Sequence, residues 1–331
     1  MITKIDSVQR STSSQTGLVF ALELSGNSGR AIKPERWGLS DNTQWFHFDL
    51  KTQRSEDWIK QHSGLSPLAV DALTVEDTRP RVVTIDNGLL IYLRGVNCNP
   101  ESDPEDMVAI RLWVSANRII SLRHRRVMAI QDIKELYLNS CGPISTSDFL
   151  VHLCENLTNR ISSVVNDVKD KIDEMEEKLL DKENLALRGE LSSYRRMIIG
   201  LKRYLTPQRD TLAKLQTEPA VFFREDHRLQ IRELHERTIR CLEELEACRE
   251  RATVIQEELQ TRLSEQMNRT IYLFSIIATI FLPLSLITGL LGVNVGGIPG
   301  GGSSLGFPIV SGILIIIAIA EYVYFKKKQV L

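Results

Sequence analysis

The chain has 331 residues, with 41 Lys and Arg against 42 Asp and Glu and a formal net charge of -1. That length suggests about two domains, and the balanced charge lacks the basic footprint of a nucleic-acid binder, so no nucleic-acid partner is expected. The five cysteines, Cys98, Cys141, Cys154, Cys241 and Cys248, are scattered and form no CxxC pair, which reads as reduced thiols in a cytosolic compartment.

Met1 to Asp6 shows no apolar stretch behind its first charge, so no secretory signal is expected. Residues 1–150 read as a cytoplasmic α/β domain. Short β-branched and apolar runs predict strands over Gly17–Leu24, Gln44–Phe48, Leu89–Leu93, Val108–Val114 and Arg118–Leu122. Helical patterns fall at Asp57–His62 and Pro67–Leu73, with Gly95, Pro100 and Pro104 punctuating the loops. Arg123-His124-Arg125-Arg126 is a compact basic cluster, readable as a solvated face, an ion-pair site between subunits or an anion site.

From Thr146 the composition turns to long helices rich in Glu, Lys, Leu and Arg, and residues 151–270 read as a helical stalk. Ser147–Leu180 is one predicted helix and Lys182–Leu205 a second, ended by Pro207. Acidic residues from Asp167 to Glu183 alternate with lysines, the pattern of a solvated helix face. A third helix starts near Arg224 and meets no Gly or Pro until Pro283; carried to Leu291 it would be roughly 100 Å long. Within it Ile231, Leu234, Thr238, Cys241, Leu245, Cys248, Ala252, Ile255 and Leu259 alternate by three and four, a heptad seam that needs a partner, either the preceding helices or other copies of the chain. His235, Cys241 and Cys248, with His227 nearby, are residue types zinc prefers. Both cysteines occupy seam positions, where free Cys is a small apolar filler, so packing is the preferred reading over a metal site.

Ile271–Leu291 has 21 residues without a charge, about 31 Å as a helix, which matches a bilayer core. Phe307–Phe325 has 19 and also suffices. The alternative is a helical hairpin sheltered in a soluble core. Arg269 precedes the first span and Lys326, Lys327 and Lys328 follow the second, whereas the loop 292–306 carries no Lys or Arg. The positive-inside rule then puts both termini in the cytoplasm and the loop in the periplasm, with Tyr272, Tyr322 and Tyr324 at the inner interface and residues 326–331 as a cytoplasmic tail. Pro283 should bend the first span, with Thr279 four residues earlier available near the freed carbonyl. Glu321 is the sole carboxylate within the spans, a candidate for moving a proton, although its closeness to Lys326 also allows it to reach the interface. Two spans cannot enclose a polar path, so transport would require several copies around an axis.

The loop opens Gly292-Val293-Asn294, after a span reading Ser275-Ile276-Ile277-Ala278-Thr279-Ile280-Phe281-Leu282-Pro283-Leu284-Ser285. This resembles the CorA superfamily of divalent-cation transporters, whose signature at this point is Gly-Met-Asn; here Val stands for Met. Val295-Gly296-Gly297-Ile298-Pro299-Gly300 and Glu76-Asp77-Thr78-Arg79-Pro80-Arg81-Val82 resemble its ZntB zinc-transport branch. The resemblance covers essentially the whole chain. It implies an α+β fold: the α/β domain, the stalk and two C-terminal transmembrane helices, assembled as a homopentameric funnel in the cell inner membrane.

By the same resemblance, Gly292, Val293 and Asn294 form the mouth that meets the hydrated ion. Asn268, Ile271, Phe274, Ala278, Leu282, Ser285 and Gly289 line the pore, and the protein takes up zinc coupled to protons, with Zn²⁺ as cargo and no cofactor. Helix geometry permits that face, since its steps of three and four stay on one side. Neutral oxygens of Asn294 and Gly292 suit an ion that keeps its water, and no Cys or His occurs from Ile271 to Leu331 to strip it. Such a mouth would discriminate poorly among Zn²⁺, Cd²⁺, Ni²⁺ and Mg²⁺. Ile271, Phe274 and Leu282 would form apolar rings able to gate by dewetting. Two other readings are a CorA-type magnesium or cobalt channel, and a non-transporting coiled-coil protein tethered by its hairpin. No nucleophile-base pair or cofactor motif points to an enzyme.

Overall fold

The computed structural model describes residues 17–51, 53–75, 79–180, 187–218, 223–292 and 304–327. It divides into two compact units, residues 1–256 and 257–331.

The first unit is built on a seven-stranded sheet in the order β2-β1-β3-β7-β6-β5-β4. The strands are β1 (Leu18–Ser25), β2 (Ser28–Ala31), β3 (Thr43–Asp49), β4 (Arg81–Ile85), β5 (Gly88–Gly95), β6 (Val108–Val114) and β7 (Arg118–Arg123). Neighbours are antiparallel except β3 and β7, which run parallel from Gln44 opposite Arg118 to Asp49 opposite Arg123. The helices of this unit are α1 (Gln53–His62), α2 (Pro67–Thr74), α3 (Met128–Leu138), α4 (Thr146–Leu180), α5 (Leu187–Thr217) and the N-terminal part of α6 (Glu225–Gly292).

Both sheet faces are covered, which is why β5 and β6 read as near-continuous apolar runs rather than alternating ones. Period two still sorts the side chains. Trp45, Leu89 and Ile119 join a core with Ile130 and Ile133 of α3, Phe149 and Leu153 of α4, Leu212 of α5 and Ile231 of α6. Phe46, Leu90 and Ile120 point the other way, onto Trp58 and Ile59 of α1 and Val70 and Leu73 of α2. Five expected strands are present with ends shifted by at most a residue or two. Two more, β2 and β4, were not expected, and neither was α3.

The expected stop at Pro207 is corrected: α5 continues through it to Thr217. An interior proline costs about 3 kcal/mol. Beyond it Leu212 and Leu215 are buried, and each buried leucine returns roughly 1.5–3 kcal/mol. Gln208 is also buried and accepts from the Arg94 amide at 2.7 Å, so the turn after the proline is tied to β5. The seam on α6 has its partner in the preceding helices: Cys241 Sγ lies 3.4 Å from Ser162 Oγ of α4, and Arg251 donates to Glu176 at 2.7 Å. Seam residues from Ile231 to Ile255 are buried, while Leu259 is half-exposed.

Candidate transport pathway

The second unit contains the end of α6 and a last helix, α7 (Gly306–Lys327). Only 6% of the apolar window of α6 is buried, and none of that of α7. Leu282 is 75% exposed and Phe307 85%. These helices are not sheltered inside a soluble core, so that alternative is set aside. Apolar surface on this scale requires a partner that is not water.

What little shelter exists follows one stripe on each helix. On α6 the less exposed positions are Ile276, Ile280, Pro283, Leu284 and Ile287; on α7 they include Val310, Leu314, Ile317, Ala318, Glu321 and Phe325. Asn268, Ile271, Phe274, Ala278, Leu282, Ser285 and Gly289 all lie away from that stripe and are exposed. Geometry therefore brings the seven together as one continuous, uncovered face.

Within the apolar span of this helix three hydroxyls turn back on their own backbone: Ser275 to Ile271 O at 3.0 Å, Thr279 to Ser275 O at 2.7 Å and Thr288 to Leu284 O at 2.9 Å. Such bonds hide polar groups from lipid. Ser285 is different, since its hydroxyl has no partner among the described residues. The expected role of Thr279 is corrected: its hydroxyl serves the carbonyl of Ser275, one turn before the carbonyl that Pro283 frees. The helix continues unbroken through Pro283 to Gly292. A Cβ added at Gly289 or Gly292 would meet nothing within 4 Å, so packing inside the protomer does not call for glycine at either place.

Val293 and Asn294 lie outside the described residues, as do the rest of the loop to residue 303, Glu76-Asp77-Thr78 and Lys328. Glu321 lies on the sheltered stripe of α7, with Oε2 buried and lacking a hydrogen-bond partner among the described residues. Its sequence neighbours suggested an interfacial reach; its placement on that stripe could have been found from the spacing of Val310, Leu314 and Ile317.

In the first unit, Cys241 and Cys248 are buried in the seam, and His235 Nδ1 lies 3.9 Å from the carboxylate of the adjacent Glu236. No group of three His, Cys, Asp or Glu that could hold a metal occurs among the described residues. Sequence reasoning missed a different pairing. His227 Nε2 sits 2.9 Å from Asp148 Oδ1, and His227 Nδ1 accepts from the Arg224 amide at 3.2 Å. The pair joins the first turns of α4 and α6. Burial pushes the Asp148 carboxyl up, but bonds from Ser145 and His227 and the nearby positive charge outweigh it and leave its pKa lowered.

A sheet domain joined in sequence to two bare apolar helices defines a membrane protein with two spans, and the uncovered face along the first span is its candidate pathway. The family model for the CorA-like Mg²⁺ transporter protein matches residues 40–327, and the chain belongs to that family, one of transporters and not enzymes. The chain is 40% identical over 301 residues to the divalent cation transporter CmaX of Pseudomonas aeruginosa, covering 88% of this chain and 90% of that one. It is 36% identical over 293 residues to the zinc transport protein ZntB of Pectobacterium carotovorum, covering 88% and 89%. The structure of full-length CmaX superimposes with a TM-score of 0.83 at 37% identity, covering 95% of this chain and 98% of that one. The expected ZntB branch of the CorA superfamily is thus supported, and the protein is a two-span protein of the inner membrane.

Proposed function

We propose that the protein carries divalent metal ions, zinc foremost, across the inner membrane through an axial path lined by the exposed face of α6 in a homopentamer. The observation that carries this reading is that face itself. Seven positions expected to line a pore are all uncovered in the protomer, and one of them, Ser285, holds a hydroxyl with no partner among the described residues. A lipid-facing helix would turn that hydroxyl onto its backbone, as its neighbours do. The names of the relatives, a divalent cation transporter and a zinc transport protein, support the cargo.

In this reading both termini are cytoplasmic, and Gly292, Val293 and Asn294 ring the periplasmic mouth. Neutral oxygens there hold the ion through its water, which keeps binding weak enough for release. Ile271, Phe274 and Leu282 form apolar rings that gate by dewetting, and Ser285 offers an oxygen one turn beyond Leu282. Glu321 carries the proton that accompanies uptake, since it is the sole carboxylate within the spans and lies on the stripe of α7 turned from the exposed surface.

The test is zinc flux into proteoliposomes with and without a pH gradient. Native protein should take up Zn²⁺ faster with the gradient. Asn294→Ala should lose at least tenfold, and Glu321→Gln should lose the dependence on the gradient. Protein that moves no metal at all would instead favour a tethered coiled-coil protein. Uptake of Mg²⁺ in preference to Zn²⁺ would favour a magnesium channel, and gradient-dependent uptake surviving in Glu321→Gln would remove that residue from the mechanism.

A further inference from the structure

A cavity of about 430 Å³ opens in the first unit where β3 and β7 end. That volume falls within the range of roughly 300–1,000 Å³ found for small-molecule sites. These two strands are the parallel pair of the sheet, and they finish level, with Asp49 opposite Arg123 and the Leu50 amide donating to Arg123 O at 2.8 Å. In open α/β sheets the crevice outside the carboxyl ends of strands is where ligands bind. Helix α3 begins just beyond. Its N-cap Val127 has no side chain to cap the first amides, and its first turn carries no acid, so the positive end of the helix is left uncompensated.

The lining is strongly basic in a chain whose net charge is only -1. Lys51, Arg123, Arg125 and Arg126 face a single carboxylate, Asp49. That carboxylate is already engaged, accepting from the Lys51 amide at 3.0 Å, and its other oxygen lies 3.7 Å from Arg123 Nε, beyond hydrogen-bond reach. Arg123 Nε is shielded from solvent with no hydrogen-bond partner. Burial pulls the pKa of this guanidinium down, Asp49 opposes that, and Arg126 adds to the fall. Arg125 pairs with Asp106, whereas Arg126 and Lys51 have no side-chain partner among the described residues. Arg126 is held by its backbone, whose carbonyl accepts from Asn99 Nδ2 at 3.1 Å. Four cations with only Asp49 and Asp106 beside them are under-compensated, and partly desolvated cations repel one another, so a fold keeps such a group where an anion completes it.

We propose that this crevice binds a small phosphate-bearing anion with two or more negative charges, held by Arg123 and Arg126 with Lys51 as a second cation. Guanidinium forks match phosphate oxygens in pairs, and three cations in one crevice favour a ligand with two or more negative charges over a monocarboxylate or a neutral molecule. The ring available among the lining residues is the His124 imidazole, so recognition falls on the phosphates and not on a stacked base. A metal cation is excluded by the sign of the charge. This site is independent of the transport reading and belongs wholly to the first unit.

The experiment is calorimetric titration of the full-length protein in detergent, without metal, using pyrophosphate, ADP and orthophosphate in turn. Pyrophosphate should saturate at one per chain. ADP should bind within about threefold of it if a diphosphate is what the site reads, and orthophosphate about tenfold more weakly. Arg126→Ala should weaken pyrophosphate about tenfold and Lys51→Ala by less, both with a shallower dependence on salt. Both residues are exposed, so neither change threatens the fold. Arg196→Ala, on the solvent side of α5, should bind as the native protein does. The proposal is overturned by an absence of saturable binding, by native affinity in both Arg126→Ala and Lys51→Ala, or by an equal loss in Arg196→Ala. Zinc flux measured on the same preparations keeps failure of this site distinct from failure of the transport reading.

Discussion

The two units of this chain solve opposite problems with the same amino acids. In the first, large rings are buried or half-buried and their indole N–H groups are met: Trp45 Nε1 donates to Ser121 Oγ at 2.8 Å, the half-buried Trp37 Nε1 to Ser63 O at 3.2 Å and Trp113 Nε1 to Ile85 O at 3.1 Å. In the second, Phe274, Phe281 and Leu282 stand in the open. Burial against its own sheet stabilises the first unit, as water drives apolar surface inward. The second has almost nothing of its own to bury, so its stability comes from lipid and, in the proposed assembly, from other copies. The comparison teaches that the cost of a mutation depends on which unit holds it more than on the residue removed.

The largest effect that tests this is Trp45→Ala, at a fully buried ring packed on Phe20 and Phe149. It should cost about 3–5 kcal/mol of the stability of the first unit. Phe281→Ala, at a ring 63% exposed, should change that stability by less than about 0.5 kcal/mol. Urea unfolding followed by tryptophan fluorescence reads the first unit alone, because all four tryptophans lie between residues 37 and 113. A comparable loss at Phe281 would break the division.

Next is His47, fully buried in β3 with Nδ1 at 2.8 Å from Ser121 Oγ. Burial lowers its pKa well below the usual value, and Arg123 and Lys134 push the same way. The folded state therefore holds a neutral imidazole while the unfolded chain protonates near pH 6.5. The unfolded state binds the extra proton, so stability is complete above that pH and falls by about 1.4 kcal/mol per unit below it. Between pH 6.5 and 5 the loss should reach about 2 kcal/mol, and His47→Gln should remove that slope. An unchanged slope in the variant would show that the imidazole is not its source.

How far the sequence foretold this division varies by element. The spans were legible because length and the absence of charge suffice to identify them, and the sheet because both-sided burial leaves long apolar runs. β4 was missed, although Asp86-Asn87-Gly88 advertises its turn: Asp86 and Asn87 take positive φ, as a two-residue hairpin loop requires. Val82 is the one fully buried residue of β4, too few for a visible alternation. α3 was missed because Val127 gives no cap signal at its start. Pro207 misled because local propensity says nothing of Leu212 and Leu215, which pack on the sheet beyond it. Along the proposed pathway, steps of three and four keep the seven residues on one face, but the partnerless Ser285 and the buried Glu321 oxygen depend on three-dimensional neighbours. The His227–Asp148 pair joins residues far apart in the chain, and no local pattern signals it.

That pair gives a smaller effect. Asp148→Asn keeps an oxygen for His227 but loses the charge and the acceptor for the Ser145 hydroxyl at 2.6 Å, so the first unit should lose about 1 kcal/mol at pH 7. The Asp148 pKa is lowered in the fold, so its contribution is present above the unfolded value near 3.9 and disappears as pH falls through the folded one. The gap between native protein and variant should therefore narrow as the pH is taken below the unfolded value and through the folded one. A gap that persists there would trace the loss to packing and not to charge.

The smallest energetic change carries the sharpest comparison. Gly289 sits inside α6, where alanine is the better helix former by about 1 kcal/mol and where an added Cβ meets nothing within 4 Å. Judged by the protomer alone, Gly289→Ala is a stabilising or silent change. Judged by a pathway formed where several copies converge, it adds five methyl groups to one narrow ring near the mouth, where small residues permit close approach. Helix content and assembly of the purified variant should match those of the native protein, while zinc flux into proteoliposomes should fall at least fivefold. Native flux in Gly289→Ala would mean that the exposed face of α6 meets lipid, and the division between a self-sufficient unit and one completed by its own copies would have to be redrawn.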